Sequence, residues 1–102
     1  MGETWLPIRY REFWDVPRSF LVRFRGRLFL FESLFDDALD DYPPRYKVHL
    51  MPDLAEDELK GSWEHLSRRS VGWLGEVPVQ SVKFDPTLRR EIHADIFGSL
   101  QT

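Results

Sequence analysis

Three kinds of residue in this chain have chemistry to offer: three histidines, a tight group of aspartates, and arginines interleaved with phenylalanine. No two of His49, His65 and His93 fall at the i, i+4 interval that sets two metal ligands on one helix face. His49 alternates with Val48 and Leu50, so it should face away from the core with Lys47 as a surface side chain. His65 and His93 lie off the apolar lines of their own segments and read the same way. Proton transfer by an imidazole needs an acidic side chain within hydrogen-bond reach in a concave setting. An enzyme reading therefore centres on the neighbourhood of His49.

Asp36, Asp37, Asp40 and Asp41 would interest a hard cation only if their oxygens converged on one point. The central glycine and terminal glutamate of an EF-hand loop are missing. The same aspartates are explained as the wet side of a short amphipathic helix, so no metal is assigned. The chain has no Cys, which removes disulfides and thiolate chemistry. It also lacks a Gly-x-Ser-x-Gly elbow, and the Gly72-Trp73-Leu74-Gly75 segment lacks the Lys-Ser/Thr ending of a phosphate loop. With no catalytic or cofactor signature, no cofactor is assigned and a non-enzymatic role is the leading expectation.

Arg9, Arg11, Arg23, Arg25 and Arg27, with Phe29 or Phe31 for stacking, are the residue types that hold an anionic ligand or a nucleic-acid single strand. Two observations oppose that alternative. The RNA-recognition strand pattern fails after Arg25-Gly26, where Arg27-Leu28 stand, and the net charge is −3.

The element that carries these arginines is also the most legible one. Ser19 to Glu32 surrounds Arg25-Gly26 with Phe20, Val22, Phe24, Phe29 and Phe31, a β-hairpin with apolar residues on both flanks. A two-residue turn would pair Phe24 with Arg27 and gather those five on one face. A type I turn with a bulge at Gly26 would pair Val22 with Leu28 instead. The bulge is favoured, because the two-residue turn requires positive φ at Arg25. In either register Leu21, Leu28 and Leu30 form a second apolar flank that must be covered. Leu21, Arg23, Arg25, Leu28 and Leu30 are therefore the expected partner-binding residues, for another protein or a second copy of the chain.

Elsewhere, Leu6, Ile8 and Tyr10 alternate as a strand whose phase breaks at Phe13-Trp14, and Pro17 separates it from the hairpin. Tyr46, Val48 and Leu50 mark another strand, and Val77 to Phe84 a third behind a loop at Gly72–Gly75. Helices are expected in three places. Ser33 opens a capping-box pattern with Phe35, Ala38, Leu39 and Tyr42 as its stripe. Asp53 caps a longer helix with Ala55, Leu59, Ser62, Trp63 and Leu66 inward, supported by Glu56–Lys60 and Glu64–Arg68 and weakened at Gly61. Asp85-Pro86 starts a third, with Leu88, Ile92 and Ile96 buried.

These elements predict an α+β fold in one domain, residues 1–102: an antiparallel curved sheet of about five strands, or a small open barrel, with two or three short helices and the main helix packed on one face. The length of 102 residues suits a single domain, and the 15% aromatic content points to a core of large rings. No apolar run approaches the roughly 20 residues that span a membrane, and Met1 to Pro7 lacks the basic start of a signal peptide. A cytoplasmic protein is expected. Eleven Arg against three Lys, and no Asn, fit a GC-rich bacterial genome.

Overall fold

The computed structural model describes residues 4–61, 63, 65–88 and 90–100. Its centre is the hairpin formed by β2 (Val16–Phe24) and β3 (Arg27–Glu32). Phe24 lies opposite Arg27 and Leu21 opposite Leu30, so the connection is the two-residue Arg25-Gly26 turn, not the bulge. Arg25 takes φ +52° and Gly26 φ +78°, the double positive φ of a type I′ turn. The right-handed twist of the flanking strands matches that turn. The Arg25 guanidinium also lies over its neighbour's ring, 5.1 Å from the Phe24 centroid. Backbone strain at Arg25 is thus the cost of a register that keeps all five strand-forming residues on one face. Replacing Arg25 by Asn, which tolerates positive φ, is expected to raise stability by about 0.5–1 kcal/mol in urea titration. A loss of stability would mean that stacking on Phe24 outweighs the backbone term.

The other strands build outward. β1 (Trp5–Trp14) pairs with β2, and the chain reverses at Asp15, φ +64°. Val16 and Pro17 already belong to β2, so Pro17 does not separate the two elements: it lies opposite Phe13. β4 (Arg45–Met51) pairs with β3, and β5 (Gly72–Pro78) with β4. β6 (Glu91–His93) pairs with the start of β1. The result is a six-stranded antiparallel sheet in the order β5-β4-β3-β2-β1-β6, open at both edges. The edge strand β5 carries a register break opposite Val48/His49, Gly75 at φ +106° and a terminal proline, Pro78.

The α+β expectation is corrected. Among the described residues there is no α-helix, only short 3₁₀ turns at Glu56–Leu59, Leu66–Arg69, Val79–Ser81 and Ala94–Ser99. Each expected helix fails for a local reason. After Ser33, side-chain bonding competes with helical bonding. The Ser33 hydroxyl donates to the Pro43 carbonyl at 2.7 Å, the Ala38 N–H donates to Asp36 Oδ1 at 2.9 Å, and Asp36 and Asp41 close a β-bridge. The segment is a turn, and Phe35 and Leu39 of the supposed stripe are exposed. The expected main helix is broken by Gly61 at φ +82°. Asp53 caps nothing there and instead meets Arg23, while Ala55 donates its N–H to Glu58 at the first 3₁₀ turn. Ser62 and Glu64 lie outside the described residues, and so does the expected Glu64–Arg68 pair. Asp85 does accept backbone N–H groups, but from Arg90 and Glu91, together with the Thr87 hydroxyl. That closes a loop back into β6 rather than a helix, with Leu88 at φ +63°. Burial alone would push the Asp85 carboxyl up; hydrogen bonds from the Thr87 hydroxyl and from the Arg90, Glu91 and Thr87 backbone outweigh it and hold the carboxyl below the usual range.

Both faces of the sheet are dry over the central hairpin. On the first, Phe20, Val22, Phe29, Phe31, Tyr46 and Val48 pack against Val82, Ile92, Ile96, Phe97 and Leu100 from residues 79–100. Phe20 stacks on Phe31 at 4.7 Å between centroids. The buried Tyr46 hydroxyl donates to the Pro17 carbonyl at 2.6 Å, and burial pushes this phenol up so that it stays a neutral donor, against a smaller opposing effect of Arg18. On the second face, Leu21, Leu28, Leu30 and Met51 are covered by Leu54, Leu59, Trp63 and Leu66. The chain thus supplies its own roof, residues 52–70, over the second flank of the hairpin.

Candidate functional site

The arginines come first, because they fasten that roof. Arg9 reaches Glu56 at 2.6 Å and Arg23 reaches Asp53 at 3.1 Å, both exposed pairs worth about 0–1 kcal/mol each. Arg11 donates to the Leu59 carbonyl at 2.8 Å and the Gly61 carbonyl at 3.2 Å, and its guanidinium lies 4.8 Å from the Trp63 ring centroid. Arg69 holds Glu58 across the two 3₁₀ turns. The Glu58 carboxyl is lowered chiefly by the Ala55 N–H, with Arg69 adding to it. Arg9, Arg11 and Arg23 are therefore engaged inside the chain, and Arg25 and Arg27 stand at the exposed hairpin tip. Of the residues expected to bind a partner, Leu21, Leu28 and Leu30 are buried beneath residues 52–70; Arg23 and Arg25 remain at the surface.

A cleft of about 270 Å³ opens on the hairpin's second face at the edge of the roof, lined by residues that include Leu21, Arg23, Leu28, Leu54 and Leu59, and two larger concave regions lie elsewhere. The first is a groove of about 660 Å³ lined by residues that include Glu32, Asp36, Asp37, Lys47, His49 and Ser67. Its floor follows from strand alternation. Glu32 pairs in register with Lys47 and Leu30 with His49, so Glu32 and His49 are diagonal neighbours on one face. The His49 Nε2 lies 3.4 Å from Glu32 Oε1, with both side chains largely out of water. The Trp73 ring stands edge-on to the imidazole at 5.3 Å. His49 is thus not the free surface residue its alternation suggested. Alternation names a face, and on that face Glu32 and Trp73 close in on His49 while Lys47 stays exposed. The Glu32 Oε2 atom is buried and has no hydrogen-bond partner among the described residues. The same holds for the Ser19 hydroxyl directly across the strand pair.

The second region is a groove of about 570 Å³ at the end of the sheet where β1 turns into β2. Its apolar walls are Trp14, Tyr42, Pro43, Val79, Phe84 and Leu88. Trp14 is 59% exposed and Leu88 37%. Arg18 supports the floor. Its guanidinium lies 4.7 Å from the Tyr42 ring centroid and donates to the Trp14 carbonyl and the Ser33 hydroxyl. Phe35, 48% exposed, packs edge-on against Tyr42 at 5.4 Å. The phase break at Phe13-Trp14 was the sequence signal for this end. Leu88 gave none, since its expected place was a buried helix line.

Elsewhere His93 pairs with Asp95, and a hydrogen bond from Lys83 holds that carboxyl below its usual range against the opposing effect of burial. Among the described residues no group of three or more metal-ligating side chains converges. No helix among them is long and apolar enough to cross a membrane. Searched against protein-family models, curated proteins and solved structures, the chain matches none.

Proposed function

We propose that this protein is a non-enzymatic contact module that receives an apolar segment of another protein in the Trp14–Leu88 groove. The observation that carries the reading is a tryptophan left 59% exposed on the wall of an apolar groove. Tryptophan is the side chain most often found as the anchor of a protein interface, and monomeric proteins rarely leave a large contiguous apolar patch bare. Leu88 supports it. An aliphatic side chain at φ +63° is strained by roughly 1–2 kcal/mol, and such strain concentrates at functional surfaces. Asp15 and Asp41 also line the groove, which favours a partner segment carrying Lys or Arg beside its apolar anchor. The hairpin contributes indirectly, since residues 52–70 cover most of its second flank and leave only the smaller cleft beside Leu21 and Leu28. A cytoplasmic setting accords with the absence of Cys.

The test is a peptide-display selection on the purified protein, with Trp14→Asp as the counter-target. Enriched peptides should share an apolar anchor with a basic neighbour. They should lose at least tenfold in affinity on Trp14→Asp, the scale expected when an anchor residue is removed, and be indifferent to Arg25→Ala at the far end of the hairpin. Sedimentation at about 100 μM, where a micromolar self-complex would be populated, decides whether a second copy is the partner. Peptides that bind Trp14→Asp as well as the parent would place the contact elsewhere.

A further inference from the structure

The Glu32–His49 groove shares Pro43 and Pro44 with the Trp14–Leu88 groove but has its own polar floor, and it raises a different question. Glu32 is 6% exposed, and it is a carboxylate with only one oxygen engaged. A buried acceptor without a donor is costly, and more so when it is charged. The opposing Ser19 hydroxyl is in the same condition, so two neighbouring buried polar groups lack partners among the described residues at one point of the sheet. The groove above them is large enough for a small ligand. Its charges are unequal. Arg45 is neutralised by Glu76 at 3.3 Å, which leaves Glu32, Asp36 and Asp37 facing Lys47 and His49. What such a site lacks is positive charge that brings N–H donors. A metal ion is disfavoured because no third ligand converges with Glu32 and His49 among the described residues.

We propose that this groove binds a nitrogen cation bearing N–H donors, an ammonium or a guanidinium, with the Glu32 carboxylate as its anchor. Glu32 lines the groove although its Oε2 is closed off from water, so the carboxyl turns on binding to bring that oxygen to the N–H while His49 keeps the other. Asp36 and Asp37 at the rim attract the cation, and Lys47 repels it. The cation belongs either to a free small amine or to a Lys or Arg side chain of a protein segment.

The experiment follows the imidazole resonances of His49 by NMR in the intact chain. The probes are propylammonium, ethylguanidinium, tetramethylammonium and an end-blocked Gly-Arg-Gly peptide. The first two should shift the ring signals saturably, with Kd on the order of 1–10 mM for so few non-hydrogen atoms. Tetramethylammonium has the charge without the N–H and should give no saturable shift. Glu32→Gln should weaken the response at least tenfold with the amide spectrum otherwise retained. If that variant fails to fold, Lys47→Glu decides: it lies on the exposed wall and should tighten binding severalfold. Tenfold tighter binding of the peptide than of ethylguanidinium identifies a protein segment as the source, and equal or weaker binding a free amine. Non-saturating shifts for every probe, equal shifts with tetramethylammonium, or no tightening in Lys47→Glu would overturn the proposal and leave a buried water as the partner of Glu32. Because Trp14→Asp leaves this groove intact, loss of amine binding and loss of peptide binding are told apart.

Discussion

Phe29→Ala is expected to destabilise the protein by about 3–5 kcal/mol, the range for deleting a buried aromatic ring and leaving a cavity. Phe29 lies in β3 between Val22 of β2 and Leu50 of β4, is almost fully buried, and meets the Phe97 ring at 4.8 Å. It therefore joins the sheet to the C-terminal cover. A domain of this size is held by about 5–15 kcal/mol in total, so the variant is left marginal. In thermal unfolding, a few kcal/mol at roughly 4–8 °C each lowers Tm by about 15–30 °C. Denaturant titration should show a lower midpoint with an unchanged slope. A loss below about 1 kcal/mol would remove Phe29 from the core and with it the first-face packing.

The second large effect is expected on the other face. Trp63→Ala deletes the one large ring of the cluster that covers Leu21, Leu28 and Leu30. It also removes the indole N–H that donates to the Leu59 carbonyl at 2.8 Å and the surface on which Arg11 stacks. The expected cost is again about 3–5 kcal/mol, but its consequence differs from that of Phe29→Ala. Residues 52–70 are fastened by 3₁₀ turns and side-chain contacts rather than strand pairing, so this segment should open before the sheet does. Trypsin should then cut the variant at Lys60, Arg68 or Arg69 well before the parent chain, and the bared leucines should bind a hydrophobic dye. A variant equally stable and equally slow to be cleaved would show that Trp63 does not hold the roof.

The strands β1 to β4 were legible because their signal is local, whereas β5 occupies Gly72–Pro78, where a loop was expected ahead of a Val77–Phe84 strand, and β6 lies in an expected helix. Phe20 and Val22 share a face by alternation, as do Phe29 and Phe31 and as do Tyr46 and Val48, but that the two hairpin pairs lie on the same side rests on the turn register. That the hairpin needed cover on both flanks was also legible. What supplied the cover was not. Ala55, Leu59, Trp63 and Leu66 have helical spacing, yet the backbone at Gly61 turns to positive φ, and the same side chains reach the sheet from two separate turns. Spacing records which residues face inward and is indifferent to how the chain between them runs. The turn at Arg25 failed for the opposite reason: the penalty on one residue was weighed without the gain of a register that aligns five others. The Glu32–His49 contact was invisible because it depends on how β3 and β4 slide past each other, and no pattern within one strand carries that information.

The two rims of the sheet have a consequence for how the protein behaves when crowded. One rim, β6, is three residues long; the other, β5, is kinked at Leu74-Gly75 and closed by a residue with no amide hydrogen, Pro78. A passing chain finds few consecutive free backbone groups to lie along. Growth by endless strand addition, the route to fibres, is hindered at these two rims, and the stretch of β1 that runs past β6 towards Trp14 is where a foreign strand would find room.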